Sequence, residues 1–247
     1  MTENMIETLR NGEPATRRRH AALALGTSKE SGLVPVLVQA LRTEKDGRVR
    51  EDITWAIVQH ADEADEQLKE LLTSTDPSDR FSGAHVISKI GNPDHFDAVS
   101  PLVLDEHKDV ALKAYRAAAN TGGHRAPALL AKRLGDGDGW QRDALSDAFR
   151  KLGEISIPAL VEALDSEDPD VRDHAVEALG YLGDHADSAV DAIEARVADE
   201  HPPVRLTAVS ALGQLGEVAD PALRRVAESD DEVLSALAKR FLDGRRR

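Results

Sequence analysis

The chain has 247 residues, 45 of them acidic and 31 basic, for a formal net charge of −14, and it has no cysteine. That excludes disulfides, thiol chemistry and cysteine-held zinc, and it argues against nucleic acid as a partner, because such binding rests on Lys and Arg neutralising phosphates. No run approaches the about 18 apolar residues of a membrane span, and the N-terminus lacks the apolar core of a signal peptide. The expectation is therefore a cytoplasmic protein with no membrane partner.

Taken in chain order, Met1 to Gly12 reads as a short capping helix, and from there one unit recurs. It is clearest from Asp168 to Glu200. Asp168 is an N-cap candidate whose carboxylate accepts from a free backbone N–H of the first turn, and Pro169 suits the first helical position. Val171, Ala175, Ala178, Leu179 and Leu182 follow at spacings of three and four, the stripe of one helix. Gly183 ends it. A second helix starts near Ala186, with Ala189, Val190, Ile193 and Val197 on its stripe. Neither helix can bury its stripe alone.

With Arg172 as the register mark, equivalent positions are Arg18, Arg50, Arg80, Ala111, Arg142, Arg205 and Leu234, at intervals of 29 to 33 residues. A period of this size signals a stacked helical array. Four residues before the mark stand Asp46, Asp76, Asp138, Asp168 and Asp230. Seven after it runs an apolar row of Leu25, Ile57, Ile87, Ala118, Phe149, Leu179, Leu212 and Phe241. Eleven after it stand Gly91, Gly122, Gly153, Gly183 and Gly216 as helix stops. The boundaries that follow are repeats at approximately 14–45, 46–75, 76–106, 107–137, 138–167, 168–200 and 201–229, and a cap at 230–243, all within a single domain spanning 1–247. Gly244 to Arg247 reads as a frayed end.

The pattern D-P-x-V-R-x-x-A-x-x-A-L-G, seen in Asp168–Gly180, Val204–Gly213 and Arg18–Gly26, resembles the HEAT-like repeat of the phycobilin-lyase type and covers essentially the whole chain. The resemblance implies an all-α, right-handed α-solenoid of about seven HEAT-like hairpins plus a C-terminal capping helix. It also implies a polar ladder in which turn aspartates and helix-start arginines, here Asp46/Arg50, Asp76/Arg80, Asp138/Arg142 and Asp168/Arg172 with Arg205 in the same column, hydrogen-bond between adjacent repeats. In such solenoids second helices line a concave groove. The polar residues there are Gln39, Arg42, Lys132, Arg133, Glu162, Asp191, Glu194, Arg224 and Arg225, a mixed-charge surface suited to a protein or peptide partner.

No reaction centre is legible. Family members that hydroxylate a modified lysine bind iron through His-Glu dipeptides, and none occurs here; no two histidines stand four apart. There is no Gly-x-Ser-x-Gly and no phosphate-binding loop. Gly135-Asp136-Gly137-Asp138-Gly139 is too short for a calcium loop and lacks its distal Glu. Trp140 is expected in an interface or turn, and most other aromatics at core positions. The reading is a non-enzymatic, monomeric scaffold or adaptor with no metal and no cofactor; the alternative is a lyase-like or chaperone-like accessory that holds a cofactor or modifies a partner protein.

The acids divide into 26 Asp and 19 Glu, the bases into 22 Arg and 9 Lys, and aromatics are 3%. An Asp-rich, Lys-poor surface suits concentrated salt, where the Debye length shrinks to about 3 Å at 1 M, and points to a halophile. On that expectation the thermal midpoint falls when salt is lowered below about 0.1 M, as a melt followed by circular dichroism would register; an unchanged midpoint would argue for an ordinary acidic protein.

Overall fold

The computed structural model describes residues 2–245; Met1, Arg246 and Arg247, which belong to the expected cap and frayed end, lie outside them. Helices account for the fold, and no strand occurs among the described residues. A leading helix α1 (Thr2–Asn11) packs on α2. After it, long and short helices alternate. The first helices of the hairpins are α2 (Ala15–Gly26), α4 (Gly47–Gln59), α6 (Pro77–Ile90), α8 (Lys108–Thr121), α10 (Gly139–Leu152), α12 (Pro169–Tyr181), α14 (Pro202–Gln214) and the final α16 (Glu232–Gly244). The second helices are α3 (Val34–Thr43), α5 (Asp65–Leu72), α7 (Phe96–Val99), α9 (Ala126–Leu130), α11 (Ile157–Ala163), α13 (Val190–Ala195) and α15 (Asp220–Ala227). Several of these are extended by 3₁₀ turns, as at Ser100–Leu104, Ala131–Arg133 and Arg196–Ala198.

Two compact units are present. Met1–Thr121 holds α1 to α8, and Gly122–Arg247 holds α9 to α16. In each, successive first helices lie against one another and each first helix closes on the second helix of its hairpin. The apolar row seven residues after the register mark is the spine. Leu25, Ile57, Ile87 and Ala118 in one unit, and Phe149, Leu179 and Leu212 in the other, are buried; Phe241, on the last helix, is partly exposed.

First helices meet backbone to backbone through small residues. A methyl added at Gly180 would lie 3.0 Å from Ala211 Cα, and one at Gly26 only 2.8 Å from Ala56 Cα and 2.6 Å from the Trp55 ring. Second helices are bridged instead by long side chains: Arg42 reaches from α3 to Glu70 on α5, and Arg225 from α15 to Glu194 on α13. Within each unit the first helices are thus the closely spaced row.

Asp46, Asp76, Asp138 and Asp168 each cap their own helix, accepting from backbone N–H groups one turn on. The last cap is Asp231, not Asp230, because Asp231 reaches both Val233 and Leu234 N–H. The fourth stop is likewise displaced: Gly122 keeps a right-handed conformation and Gly123 takes the positive φ of 47°.

The arginine column is a ladder with partners other than those capping aspartates. Arg18, Arg50, Arg80, Arg172 and Arg205 each donate from Nη1 to the carbonyl six residues earlier, on Gly12, Glu44, Ser74, Ser166 and Asp199, at 2.8–3.2 Å. That carbonyl ends the preceding turn, so each bond ties a first helix to the chain before it. Three arginines also reach forward to a carboxylate two residues before the next N-cap. Arg18 takes Glu44 at 2.7 and 3.1 Å, Arg80 takes Asp105 at 2.7 and 3.0 Å, and Arg172 takes Asp199 at 2.9 Å through both nitrogens. The same carboxylates accept from the next N-cap's backbone N–H, on Asp46, His107 and His201. Where that position is a serine, Ser74 or Ser166, its hydroxyl takes over the turn bond. Arg50 then goes to Ser82, and Arg142 to Asp173 and Glu177, on the next first helix.

His174 is wholly buried on α12. Its Nδ1 accepts from Gly135 N–H at 3.2 Å, and its Nε2 faces Arg142 O at 3.1 Å and Ser146 Oγ at 3.2 Å. One nitrogen accepts while the other serves an oxygen, so the ring is neutral. Burial, reinforced by the Arg142 charge, lowers its pKa from 6.5 to about 4.

Two consequences are measurable, and they occupy different pH windows. Between pH 6.5 and about 4 the unfolded chain takes up a proton that folded His174 refuses, so stability declines as pH falls through that interval, by about 3 kcal/mol near its lower end. Urea denaturation at stepped pH is expected to show a steeper decline for the wild type than for His174→Gln. The Arg172 hydrogen bonds hold the Asp199 carboxyl below its ordinary value, so its contribution is complete above the usual carboxylate range and disappears only as pH falls through that lowered value. At neutral pH, Asp199→Asn strands the Arg172 guanidinium in a site where the side chains are 6% and 3% exposed, and should cost about 3 kcal/mol in the same assay.

Candidate functional site

The nine residues assigned from sequence to a second-helix groove divide by what they touch. Arg42 is held by Glu70 at 2.9 Å and Asp79 at 3.1 Å. Glu194 and Arg225 hold each other through two bonds of 2.6 and 2.5 Å, which keep the Glu194 carboxyl below its usual range. Arg133 lies 3.5 Å from Asp136, and Arg224 3.8 Å from Asp220. Gln39, Lys132, Glu162 and Asp191 are exposed polar residues. Three of the nine therefore link one hairpin to the next. A cavity of about 520 Å³ opens beside Asp199 and is lined by Asp165, Arg172, Arg196 and Glu200. Its two guanidiniums are already engaged, Arg172 by Asp199 and Arg196 by Leu164 O at 3.0 Å.

A different surface collects exposed aromatic and charged side chains. Residues one, five and nine after the mark form the outer stripe of each first helix, since positions four apart share a helix face. In the first unit this stripe carries Arg19 and Leu23, then Glu51 and Trp55, then Phe81, His85 and Lys89, then Arg116 with Lys113 beside it. Leu23 is 36% exposed and Trp55 38%. Glu51 bridges to α6, with one oxygen 2.8 Å from His85 Nε2 and the other 3.2 Å from Lys89 Nζ. The Phe81 and His85 rings stack at 6.2 Å. Lys113 Nζ stands 5.1 Å from the Phe81 ring centre, a cation–π arrangement. Burial lowers the Lys113 pKa; Glu51 opposes this, and the Arg116 and Lys89 charges add to it.

In the second unit the corresponding stripe is acidic. It carries Asp143 and Asp147 on α10, with Trp140 one turn before them, then Asp173, Glu177 and Tyr181 on α12, then Leu206 and Ser210 on α14. Trp140 is 78% exposed and Tyr181 44%, so neither takes an interface or core place. Arg142 pairs with Asp173 at 2.7 Å and Glu177 at 3.3 Å, and Thr207 donates to Asp173 at 2.6 Å. Burial, and then the charges of Glu177, Asp143 and Asp147, raise the Tyr181 pKa. The arrangement suits recognition: exposed rings, fixed charges and short bonds holding the side chains in place. Among the described residues no three His, Asp or Glu side chains converge to hold a metal ion, and no helix is long and apolar enough to cross a membrane.

This stripe was not singled out from the sequence, although its signal is present. Columns one and five hold unlike residues from repeat to repeat (Leu23, Trp55, His85, Arg116, Asp147, Glu177, Ser210), between apolar columns that hardly change. Variation locked between constant core positions marks an outward face.

Comparison with known proteins agrees with the architecture. The family model for HEAT repeats matches residues 2–84, 65–149 and 157–241. No curated protein matches the chain. Among solved structures, importin beta is 14% identical with a TM-score of 0.56, over 96% of this chain and 41% of that one. Kap95p, in a complex with RanGDP, is 12% identical with a TM-score of 0.58, over 98% of this chain and 40% of that one. The complex of CpcE and CpcF, the phycocyanin lyase of Nostoc sp. PCC7120, is 19% identical with a TM-score of 0.45, over 99% of this chain and 94% of that one. At such identities the likeness to importin beta and Kap95p is one of fold, an α-solenoid of stacked helical hairpins. With the family model matching most of its length, this chain belongs to the HEAT-repeat family.

Proposed function

We propose that this chain is a non-enzymatic interaction module that engages a protein or peptide partner through the outer stripe of its first helices. The observation that carries the reading is where the exposed rings and apolar side chains sit. Among the exposed large hydrophobic residues, Leu23, Trp55, Tyr181 and Leu206 belong to that stripe and Trp140 stands one turn before it on α10, whereas Leu104, Val218 and Val233 lie singly elsewhere. Tryptophan and tyrosine concentrate at binding hot spots because they offer large contact area at small entropic cost. The fold supports the same use, since repeats that touch only their neighbours leave a long surface for recognition. The fixed inter-repeat pairs on the second-helix side, Arg42 with Glu70 and Arg225 with Glu194, make that row a brace in this reading. Partner capture is expected to follow the first-helix side chains.

The test compares captures by the immobilised chain from a native extract, read by mass spectrometry. Leu23→Ser with Trp55→Ser, and separately Trp140→Ser with Tyr181→Ser, should remove captured proteins; the circular dichroism spectrum at the capture temperature should stay that of the folded chain, with a lowered melt only for the first pair, because Trp55 packs on Gly26. Gln39→Ala with Lys132→Glu should leave capture intact. The reverse pattern would place recognition on the second helices and defeat the proposal.

A further inference from the structure

The arginines that tie one helix to the next are matched. Arg18, Arg42, Arg80, Arg142, Arg172 and Arg225 all lie within 3.5 Å of a carboxylate oxygen. The end of the first-helix stripe in the first unit departs from this. Lys113 and Arg116 lie one turn apart on α8, in the repeat where Ala111 replaces the register arginine. Lys113 is half-buried, its ammonium resting over the Phe81 ring. Beside it on α6, Lys89 shares the single carboxylate of Glu51 with His85. In a chain of net charge −14 this is a local excess of positive charge, partly withdrawn from water and backed by an aromatic face. Continuous with it on α4 lies Trp55, whose ring covers Gly26, and beyond it on α2 lies Leu23.

We infer that this patch docks an acidic peptide segment of a partner protein, with a carboxylate at Lys113 and Arg116 and an apolar side chain on Trp55 and Leu23. The inference rests on the first-helix reading above and adds the partner's chemistry. Charge complementarity selects the occupant. A partly desolvated ammonium beside a second cation gains most from a carboxylate, which relieves the mutual repulsion and supplies the missing hydrogen-bond acceptor. A nucleic acid fits less well, because its affinity grows with the number of phosphates neutralised and only Lys89, Lys113 and Arg116 are gathered here, enough for one carboxylate pair but not for a run of phosphates. Geometry sets the spacing. From α8 to α4 is two helix separations, about 16–20 Å, which an extended chain covers in about five or six residues. The segment therefore carries its apolar anchor and its acidic pair about five residues apart.

The probe is a fluorescein-labelled peptide with Leu-Leu and Glu-Glu separated by a short Gly/Ser spacer of that length. Its counterpart has Lys-Lys for Glu-Glu, and binding to the full chain is read by fluorescence anisotropy at low salt. The acidic peptide is expected to bind and the lysine peptide not. Lys113→Gln with Arg116→Gln should weaken the acidic peptide at least about tenfold. Lys113→Arg, which keeps the charge but not the shape of the head group over Phe81, should weaken it less than the double glutamine variant does, and Lys132→Gln should bind as the wild type does. Unchanged affinity in the double glutamine variant, or displacement of the peptide by oligo(dT), would overturn the inference. Binding of the lysine peptide instead, lost on Trp140→Ser with Tyr181→Ser, would overturn the acidic assignment while the first-helix face stood. Captured proteins that ignore every first-helix variant would bring down both.

Discussion

The bond that Arg18, Arg50, Arg80, Arg172 and Arg205 make to the carbonyl six residues before them ties each of their helices to the turn it follows. A second helix that ends in a tight turn leaves its last carbonyls without partners, and an orphan carbonyl in a packed turn is costly. The guanidinium entering from the start of the next helix satisfies one of them, at Glu44, Ser74, Ser166 and Asp199 alike. Burying that guanidinium raises its own requirement for a counter-charge. The carboxylates of Glu44, Asp105 and Asp199 meet it while also accepting the backbone N–H of the following cap. Turn, helix start and ion pair therefore form one hydrogen-bonded unit, and removing any member exposes the others.

The two rows of helices are held by different physics. Glycine and alanine let first helices approach until backbone meets backbone, as Gly180 does at Ala211, so dispersion over short distances does the joining. Second helices are short, begin or end in 3₁₀ turns, and stand far enough apart that arginine and glutamate span the gap. Outward-facing residues on the close row are crowded side by side, which puts rings and charges of neighbouring helices within reach of one ligand. The contact of Lys113 with Phe81 and the bridge from Glu51 to His85 both cross from one first helix to the next.

How far the sequence could be read follows from this. Periodicity disclosed the hairpins, the buried row from Leu25 to Leu212 and most caps, because those features depend on spacing along one helix. The arginine column was legible as a ladder, but its partners were not. Asp168 and Asp199 both stand in turns near Arg172, and only three-dimensional reach decides that Asp168 caps its helix while Asp199 takes the guanidinium. The outer first-helix stripe was not singled out, for a related reason. Second helices carry the denser run of long polar residues, and the sequence does not say that Arg42, Glu194 and Arg225 are spent on one another's repeats. His174 sits in a column that also holds His20, Asp52, Ser82, Lys113, Ala144 and Thr207, and the glycine turn at Gly135 lies over it.

Ala111 is the one position from Arg18 to Arg205 where the register arginine is absent. With no guanidinium there, Asp105 joins the start of α8 to the helix behind it, accepting from His107 N–H on one side and from the Arg80 guanidinium on the other. The seam between the two compact units falls within that same repeat, after Thr121. The starts of α6 and α12 depend on the turn before them for a guanidinium acceptor, Ser74 O for Arg80 and Ser166 O for Arg172. A change of length in the turn before α8 disturbs no such bond, so that turn is the more tolerant of insertion or deletion.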